Sequence, residues 1–192
     1  MFQRILLVLG ALLLLLVGVV YFLGRGKVAE TPRPAVQSAA EGEESRLQTL
    51  RLYFGDPAHI ALRAEDRVIV AGPSLTDRLR ACVHELAAGS LTGGAPVLPP
   101  RTRLTKAFVD PWGLAYLEFD RSILGSQTPG DGEEWLAVAS IVRSICDNFP
   151  EVHEVRFMID GLVVTSLAGY VDLEEPLRAE DFPLSARGAG PQ

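Results

Sequence analysis

The stretch LTKAFVDPWGLAYLEFD, residues 104–120, decides the fold more than any other part of this sequence. Residues 104–110 and 114–120 alternate apolar and polar side chains, which is the pattern of half-buried β-strands. The tetrapeptide DPWG between them has proline second and glycine fourth, as a type I turn prefers. The stretch therefore predicts a β-hairpin with Trp112 at its tip.

An amphipathic helix is predicted on each side of this hairpin. Upstream, Ser74 is a helix N-cap, and apolar residues then recur at helical spacing as far as Gly89. Downstream, a second helix follows a turn-rich loop at residues 125–132 and ends before Pro150. Its predicted buried face consists of Trp135, Val138, Ala139, Val142, Ile145, Cys146 and Phe149.

Further strands are predicted at residues 47–55, 60–70 and 152–160, with a short one at 163–167. Two helices among strands of this length indicate an α+β domain. We expect a compact unit in which a mixed β-sheet carries both helices on one face.

An uncharged run of 19 residues, 5–23, stands at the other end of the chain. As a helix it is about 28 Å long, which nearly matches the ~30 Å hydrocarbon core of a bilayer. A cleaved signal peptide has a shorter apolar run and small residues directly after it, whereas Gly24-Arg25-Gly26-Lys27 follows here. The run therefore predicts an uncleaved signal anchor that contacts the lipid bilayer.

The sequence divides into four predicted parts. Residues 1–27 are the transmembrane anchor, 28–46 a flexible tether rich in Pro and Glu, 47–177 the folded domain and 178–192 a disordered tail. Basic residues flank the anchor on both sides, so charge alone leaves its orientation open, with a slight lean towards a cytoplasmic domain.

The charge balance argues against one class of partner. From Val28 onward the chain has 24 acidic and 15 basic side chains. A body this acidic repels phosphate backbones, so we expect no nucleic-acid partner.

Side chains that could carry catalysis are scattered. His59, His84 and His153 lack the spacing of metal ligands, and no nucleophile elbow or phosphate loop is present in the sequence. The carboxylate pairs, Glu118 with Asp120 and Glu133 with Glu134, read as solvated or helix-capping groups. We therefore expect no enzyme activity, no catalytic residues, no metal site and no cofactor.

Cysteines and turn residues leave alternatives open. Cys82 and Cys146 are either two buried apolar side chains or a disulfide between the helices. Trp112 either folds back on its own strands or is offered to a partner. Asp160, Gly161 and Asp172 serve turns or line a functional groove. Trp112 and these three residues together are the candidate interaction surface.

The order of these segments resembles the GerMN domain, also called the sporulation and spore germination domain. The matching segments are LRLYFGD (50–56), HELAAGSLTGG (84–94), LPPRTRLTKAFVDPWGLAYLEFD (98–120), EEWLAVASIVRSICDNFPEVHEVRFMIDG (133–161) and LAGYVDLEEPL (167–177). The matching segments occur once in this sequence, whereas the spore germination protein has two copies. The resemblance implies a fold similar to small ring-building modules, on the outer side of the cytoplasmic membrane behind a signal anchor.

The resemblance also implies a function. We expect a membrane-anchored, non-enzymatic envelope protein that contacts other envelope proteins or peptidoglycan, with a role in spore envelope assembly or germination and with self-association. The alternative is an envelope ligand-binding or cell-wall hydrolase domain that uses the loops at residues 89–100 and 125–132. A deep pocket lined by convergent acids or histidines would favour that alternative.

Overall fold

The computed structural model describes residues 46–58, 60–125 and 131–184. Within these ranges the elements follow the order ββαββαββ, with two short 3₁₀ turns. They are β1 (Arg46–Gly55), β2 (Leu62–Ala71), α1 (Leu75–Ala88), β3 (Leu104–Val109), β4 (Leu114–Phe119), a 3₁₀ turn (Arg121–Leu124), α2 (Asp131–Cys146), β5 (Glu154–Ile159), β6 (Leu162–Val163) and a 3₁₀ turn (Ala179–Asp181).

The strands form two sheets rather than the single predicted sheet. β1 and β2 pair antiparallel as a separate two-stranded hairpin. The other sheet has the order β3-β4-β5-β6 and is mixed, because β4 and β5 run parallel while the outer pairs are antiparallel. The α+β class, the mixed sheet and the two helices are confirmed, and the prediction of one sheet was wrong.

The hairpin stays separate because side chains of α2 hydrogen-bond the outer edge of β1. The Tyr53 N–H donates to Ser144 Oγ at 3.0 Å, and the Ser140 hydroxyl donates to the Tyr53 carbonyl. The Arg51 N–H donates to Asn148 Oδ1 at 2.8 Å, and the Asn148 amide donates to the Arg51 carbonyl at 2.7 Å.

The spacing of the side chains along the helix explains why they meet the backbone groups of β1. Four helical residues rise about 6 Å, and two strand residues advance about 6.6 Å. Ser144 and Asn148, four residues apart, therefore meet Tyr53 and Arg51, two residues apart, while Ser140 donates to the Tyr53 carbonyl. The polar edge of α2 takes the place that a neighbouring strand would fill.

The predicted hairpin at residues 104–120 is confirmed in the structure. The Gly113 N–H donates to the Asp110 carbonyl at 3.1 Å, which closes the turn. Gly113 has φ +88°, and a Cβ there would lie 2.5 Å from Cδ2 of His153. Its carbonyl also accepts the N–H groups of His153 and Glu154. Glycine is required at this position because β5 begins directly against the turn.

The core lies between the helices and the two sheets. Ser74 accepts the Asp77 N–H at the start of α1, as the predicted cap should. Helix α2 is enclosed on more sides than predicted, since Leu136 and Ile141 are also buried. The largest fully buried side chains are Phe54, Phe119, Phe149, Phe157, Leu50, Leu52, Leu79, Leu86, Leu117, Ile141, Ile145 and Leu173.

The ordered chain continues beyond the predicted boundary at residue 177. Leu177 pairs with Val155 on the open edge of β5 through two backbone hydrogen bonds of 2.8 and 2.9 Å. Phe182 is buried with its ring 5.8 Å from that of Trp135. Phe182 therefore packs on α2, and Arg143 of the same helix donates to the Ala179 carbonyl.

Several predictions concern parts of the chain outside the described residues. They are the anchor at 1–27, nearly all of the tether at 28–46, His59 and the last eight residues of the tail. Among the residues that are described, no helix has the length and apolar character needed to span a membrane.

Both cysteines are free thiols, so the disulfide alternative is not formed in this structure. Cys82 is fully buried, and burial raises the pKa of its thiol to about 12. Burial also raises the pKa of Cys146, to about 11. Both side chains therefore act as small apolar groups of the helices.

Candidate functional site

The structure does not bring the residues of the candidate interaction surface together. Trp112, at the tip of the β3–β4 hairpin, is 83% exposed. Asp160 and Gly161 follow β5, whereas Trp112 precedes β4. Because β4 and β5 run parallel and each has six residues, the two sites lie about 20 Å apart at opposite ends of the sheet.

Asp160, Gly161 and Asp172 of the candidate interaction surface form turns or stabilise their own loops. Asp160 (φ +53°) and Gly161 (φ +79°) form the two-residue turn between β5 and β6. The Asp160 carboxylate accepts Arg121 Nε at 2.6 Å. Asp172 accepts the Glu174 N–H at 2.9 Å within its own loop. These contacts agree with the turn interpretation of the three residues.

The scattered histidines and strand acids remain apart. His84 and His153 are exposed on different elements. Glu118 pairs across the hairpin with Lys106 at 3.0 Å, and Asp120 caps the following 3₁₀ turn. Within residues 46–58, 60–125 and 131–184, no cluster of three histidine, cysteine or acidic side chains is placed to hold a metal ion.

A groove of about 410 Å³ lies between the loop after α1, the first 3₁₀ turn and the start of α2. It therefore adjoins the loops that the sequence offered for a ligand-binding or hydrolytic site. Its walls are mostly aliphatic and proline side chains, and its two acids are Glu133 and Glu134. The lining residues are Pro96, Val97, Leu98, Pro99, Pro100, Ile123, Leu124, Gly125, Glu133, Glu134, Leu136, Ala137 and Leu167.

Glu134 is buried, although the sequence suggested a solvated capping group. One carboxylate oxygen accepts the Ser166 hydroxyl at 2.8 Å and the N–H groups of Leu167 and Ala168 at 2.8 and 3.0 Å. The other accepts the Tyr170 N–H at 2.7 Å. Burial by itself raises the pKa of Glu134, but these four hydrogen bonds outweigh burial and lower the pKa. The carboxylate is therefore held ionised and fastens the 166–170 loop to α2.

Glu65 of β2 fastens a second loop in the same way. Its carboxylate accepts the Ser90 and Thr92 hydroxyls at 2.6 and 2.8 Å and the N–H groups of Leu91 and Thr92 at 3.2 Å. It also pairs with the buried Arg67 at 2.5 Å. Burial raises the pKa of Glu65, but these hydrogen bonds prevail and lower the pKa to about 2.

Neither buried acid was found by sequence reasoning. Glu134 stands in the first turn of a helix, where acids are common for electrostatic reasons. Glu65 stands between exposed charges on its strand. The available signal was their phase. Glu65 lies on the inward face shared with Ile69, and Glu134 lies four residues before the buried Val138 and seven before the buried Ile141.

The face of the four-stranded sheet opposite the helices carries a row of large side chains. Phe108, Tyr116 and Arg156 are cross-strand neighbours on β3, β4 and β5. The two rings lie 6.2 Å apart, and Phe108 is exposed. Arg156 makes no salt bridge with any described residue, although the domain is acidic overall. Aromatic and arginine side chains are enriched in protein interfaces.

The comparisons with known proteins agree with this architecture. The family model described as sporulation and spore germination, Germane, matches residues 51–165. The chain belongs to this family.

Two solved structures from Bacillus subtilis, each with 17% sequence identity to this chain, have a similar fold. The first GerMN domain of the sporulation protein GerM matches with a TM-score of 0.56, covering 70% of this chain and 99% of that domain. The tandem GerMN domains of the same protein match with a TM-score of 0.59, covering 71% of this chain. This chain spans about half of the tandem structure (48%). No curated protein matches the sequence.

Proposed function

We propose that this Germane-family chain is a membrane-anchored, non-enzymatic binding protein of the cell envelope. Residues 5–23 hold it in the cytoplasmic membrane by a single pass, and the domain lies on the extracytoplasmic side. There it binds another envelope protein, and membership of the sporulation and spore germination family supports a role of that contact in spore envelope assembly or germination.

The hydrogen-bonded, ionised carboxylate of Glu134 is the observation that most supports a binding role over an enzymatic one. It is the buried acid in the groove where a hydrolase would need a free carboxylate. Four hydrogen bonds already occupy its oxygens, and its lowered pKa opposes the protonation that a general acid requires. Glu133, the other acid of the lining, is exposed and stands next to apolar walls. The arrangement of Glu133 and Glu134 therefore does not match the pair of carboxylates that a glycoside hydrolase places on either side of its substrate.

The outer face of the four-stranded sheet is the proposed contact surface. Phe108, Tyr116 and Trp112 supply aromatic area at its β3–β4 end, and Arg156 supplies a cation without an acidic partner among the described residues. A partner that complements this surface presents a carboxylate beside apolar side chains, so a protein surface fits better than an anionic glycan alone.

Site-specific photo-crosslinking in cells tests this proposal. A photoreactive amino acid replaces Trp112 in the full chain, and a second chain carries it at Leu91. Leu91 is a matched control because it is 80% exposed, close to the 83% of Trp112, but lies in the loop after α1. We expect a discrete crosslinked product with an envelope protein from position 112 and none from position 91. Products that are equal at both positions, or absent at both, would contradict the proposal.

The groove supports a second candidate, an envelope domain that binds a small apolar ligand. Its volume of about 410 Å³ lies within the range of ligand pockets, and its walls are aliphatic. Replacing Leu124, a half-buried residue of that lining, with Asp would place a charge in the groove. If the groove is the functional site, this variant no longer binds the apolar ligand, while the crosslink from position 112 is retained.

A further inference from the structure

The outer edge of β2 is open in the part of the chain that the structure describes. β2 pairs with β1 alone and runs for ten residues without a bulge. Natural proteins protect such edges with prolines, bulges or charged side chains. The segment Val68–Ile69–Val70–Ala71 has none of these devices.

The direction of the backbone groups at this edge follows from the contacts of β1. The Arg51 N–H and carbonyl face α2, so the backbone groups of Leu50 and Leu52 face β2. Leu50 and Leu52 pair with Arg67 and Glu65 of β2. The N–H and carbonyl groups of the intervening β2 residues therefore point outward, at Ala64, Asp66, Val68 and Val70.

The same edge carries exposed aliphatic side chains. Val68 and Val70 are 63% and 66% exposed, and Leu47, which pairs with Val70, is 76% exposed. These three side chains lie on the solvent face of the hairpin because alternate residues point to the same side. An apolar strip therefore lies beside a row of unpaired backbone groups.

We infer that the β2 edge pairs antiparallel with β2 of a second copy of this chain, about a two-fold axis at Ile69. In this register Val68 of each copy lies opposite Val70 of the other, and both residues direct backbone groups to the interface. The result is a four-stranded sheet, β1-β2-β2-β1, with a continuous aliphatic strip on its outer face. A pairing of this kind is isologous, so it closes as a dimer.

Charge selects this register over its neighbours. A two-fold axis at Asp66 would set the two Asp66 carboxylates opposite each other, and like charges in that position are destabilising. An axis at Val68 would set Asp66 opposite Val70. Of these three, only the axis at Ile69 sets both Val68 and Val70 opposite a valine and leaves Asp66 free to keep its 2.9 Å pair with Arg51.

The position at which the chain enters the domain, at the start of β1, is compatible with a dimer of two copies anchored in the same membrane. Arg46, where β1 begins, pairs with Ala71 and so lies next to the axis. The two-fold operation sets the two Arg46 residues at the same height along the axis, so an axis perpendicular to the membrane lets both chains come from one bilayer. About five residues of each strand pair, from 67 to 71, so the contact is weak by itself. This inference rests on the proposed membrane attachment, which raises the effective concentration of the two copies.

Disulfide trapping in membranes tests the register directly. A full chain with Val68→Cys and a differently tagged full chain with Val70→Cys are produced together and oxidised. The unmodified chain controls for Cys82 and Cys146, and Leu91→Cys controls for random collision. We expect mixed disulfide dimers of the two tagged chains at several times the level of either homodimer, since positions 68 and 70 lie opposite each other.

Mixed dimers no more abundant than the Leu91→Cys product would overturn the inference. Disulfide trapping of a different protein instead of the second copy would also overturn it. The photo-crosslink at Trp112 comes from a different sheet, so its result is independent of this one. Failure of the dimer and failure of the proposed function are therefore distinguishable.

Discussion

At the residue scale, two buried acids organise the loops of the domain. Glu134 holds the 166–170 loop, and Glu65 holds residues 90–92. A buried carboxylate is costly unless its oxygens are fully hydrogen-bonded, and both residues meet that condition. Both loops would lose their main attachment if the acid were removed.

Glu134→Gln should lower the free energy of unfolding by about 2 kcal/mol. Hydrogen bonds to a buried charged group contribute about 1.5–3 kcal/mol, and the glutamine amide would face N–H groups that need an acceptor. Glu133→Gln, one residue away and exposed, is the control and should change stability by less than about 0.5 kcal/mol. Urea denaturation of both variants measures the difference. Equal stabilities would show that Glu134 does not fasten the loop.

Glu65 should make the stability of the domain depend on acid pH. Its pKa is about 2 in the folded chain, against an ordinary value of 4.5. A carboxyl whose pKa is depressed by folding stabilises fully above its unfolded pKa, and this contribution is lost as the pH falls towards the folded pKa. The stability gap between the unmodified chain and Glu65→Gln should therefore be largest near pH 7 and shrink between about pH 4.5 and pH 2. A gap that is constant over this range would contradict the assignment.

At the scale of elements, the junction of β1 with α2 is the feature that the sequence did not reveal. The strands were predictable because they alternate, and the hairpin at 104–120 because its turn residues are distinctive. Ser140, Ser144 and Asn148 follow the helical spacing of a polar stripe, which ordinarily indicates solvent. Their partners are backbone groups, which leave no trace in the side-chain pattern of β1. The two-sheet arrangement could not be predicted for this reason.

Ser144→Ala should destabilise the domain by about 1–3 kcal/mol. The Tyr53 N–H would remain buried without an acceptor, and the cost of such a group is of that size. Amide hydrogen exchange at Tyr53 should also become faster than at Leu52, whose N–H faces β2. Thr49→Val is the control, because it also removes a hydroxyl but from the exposed face of β1. If the two variants are equally stable, the helix side chains do not secure the edge of β1.

At the scale of the whole molecule, the order of strands, turns and helices was enough to identify the family. The sequence predicted the α+β class and both helices, since these follow from periodicity and spacing. It did not predict the packing of Phe182, because the segment around it is short, polar on one side and without a helical or strand period. The loops that the sequence analysis offered for a site indicated where the groove lies. Its aliphatic lining and the four hydrogen bonds to Glu134 depend on contacts between distant segments and could be seen only in the structure.

The central claim is that the domain stands outside the cytoplasmic membrane on an anchor that is kept. Protease treatment of spheroplasts, with mass analysis of the membrane-bound chain, tests it most directly. We predict that untreated membranes contain a chain that still includes residues 5–23, and that external protease removes the domain while a cytoplasmic marker stays intact. A domain that survives until the spheroplasts are lysed, or a mature chain that starts after Leu23, would contradict the account.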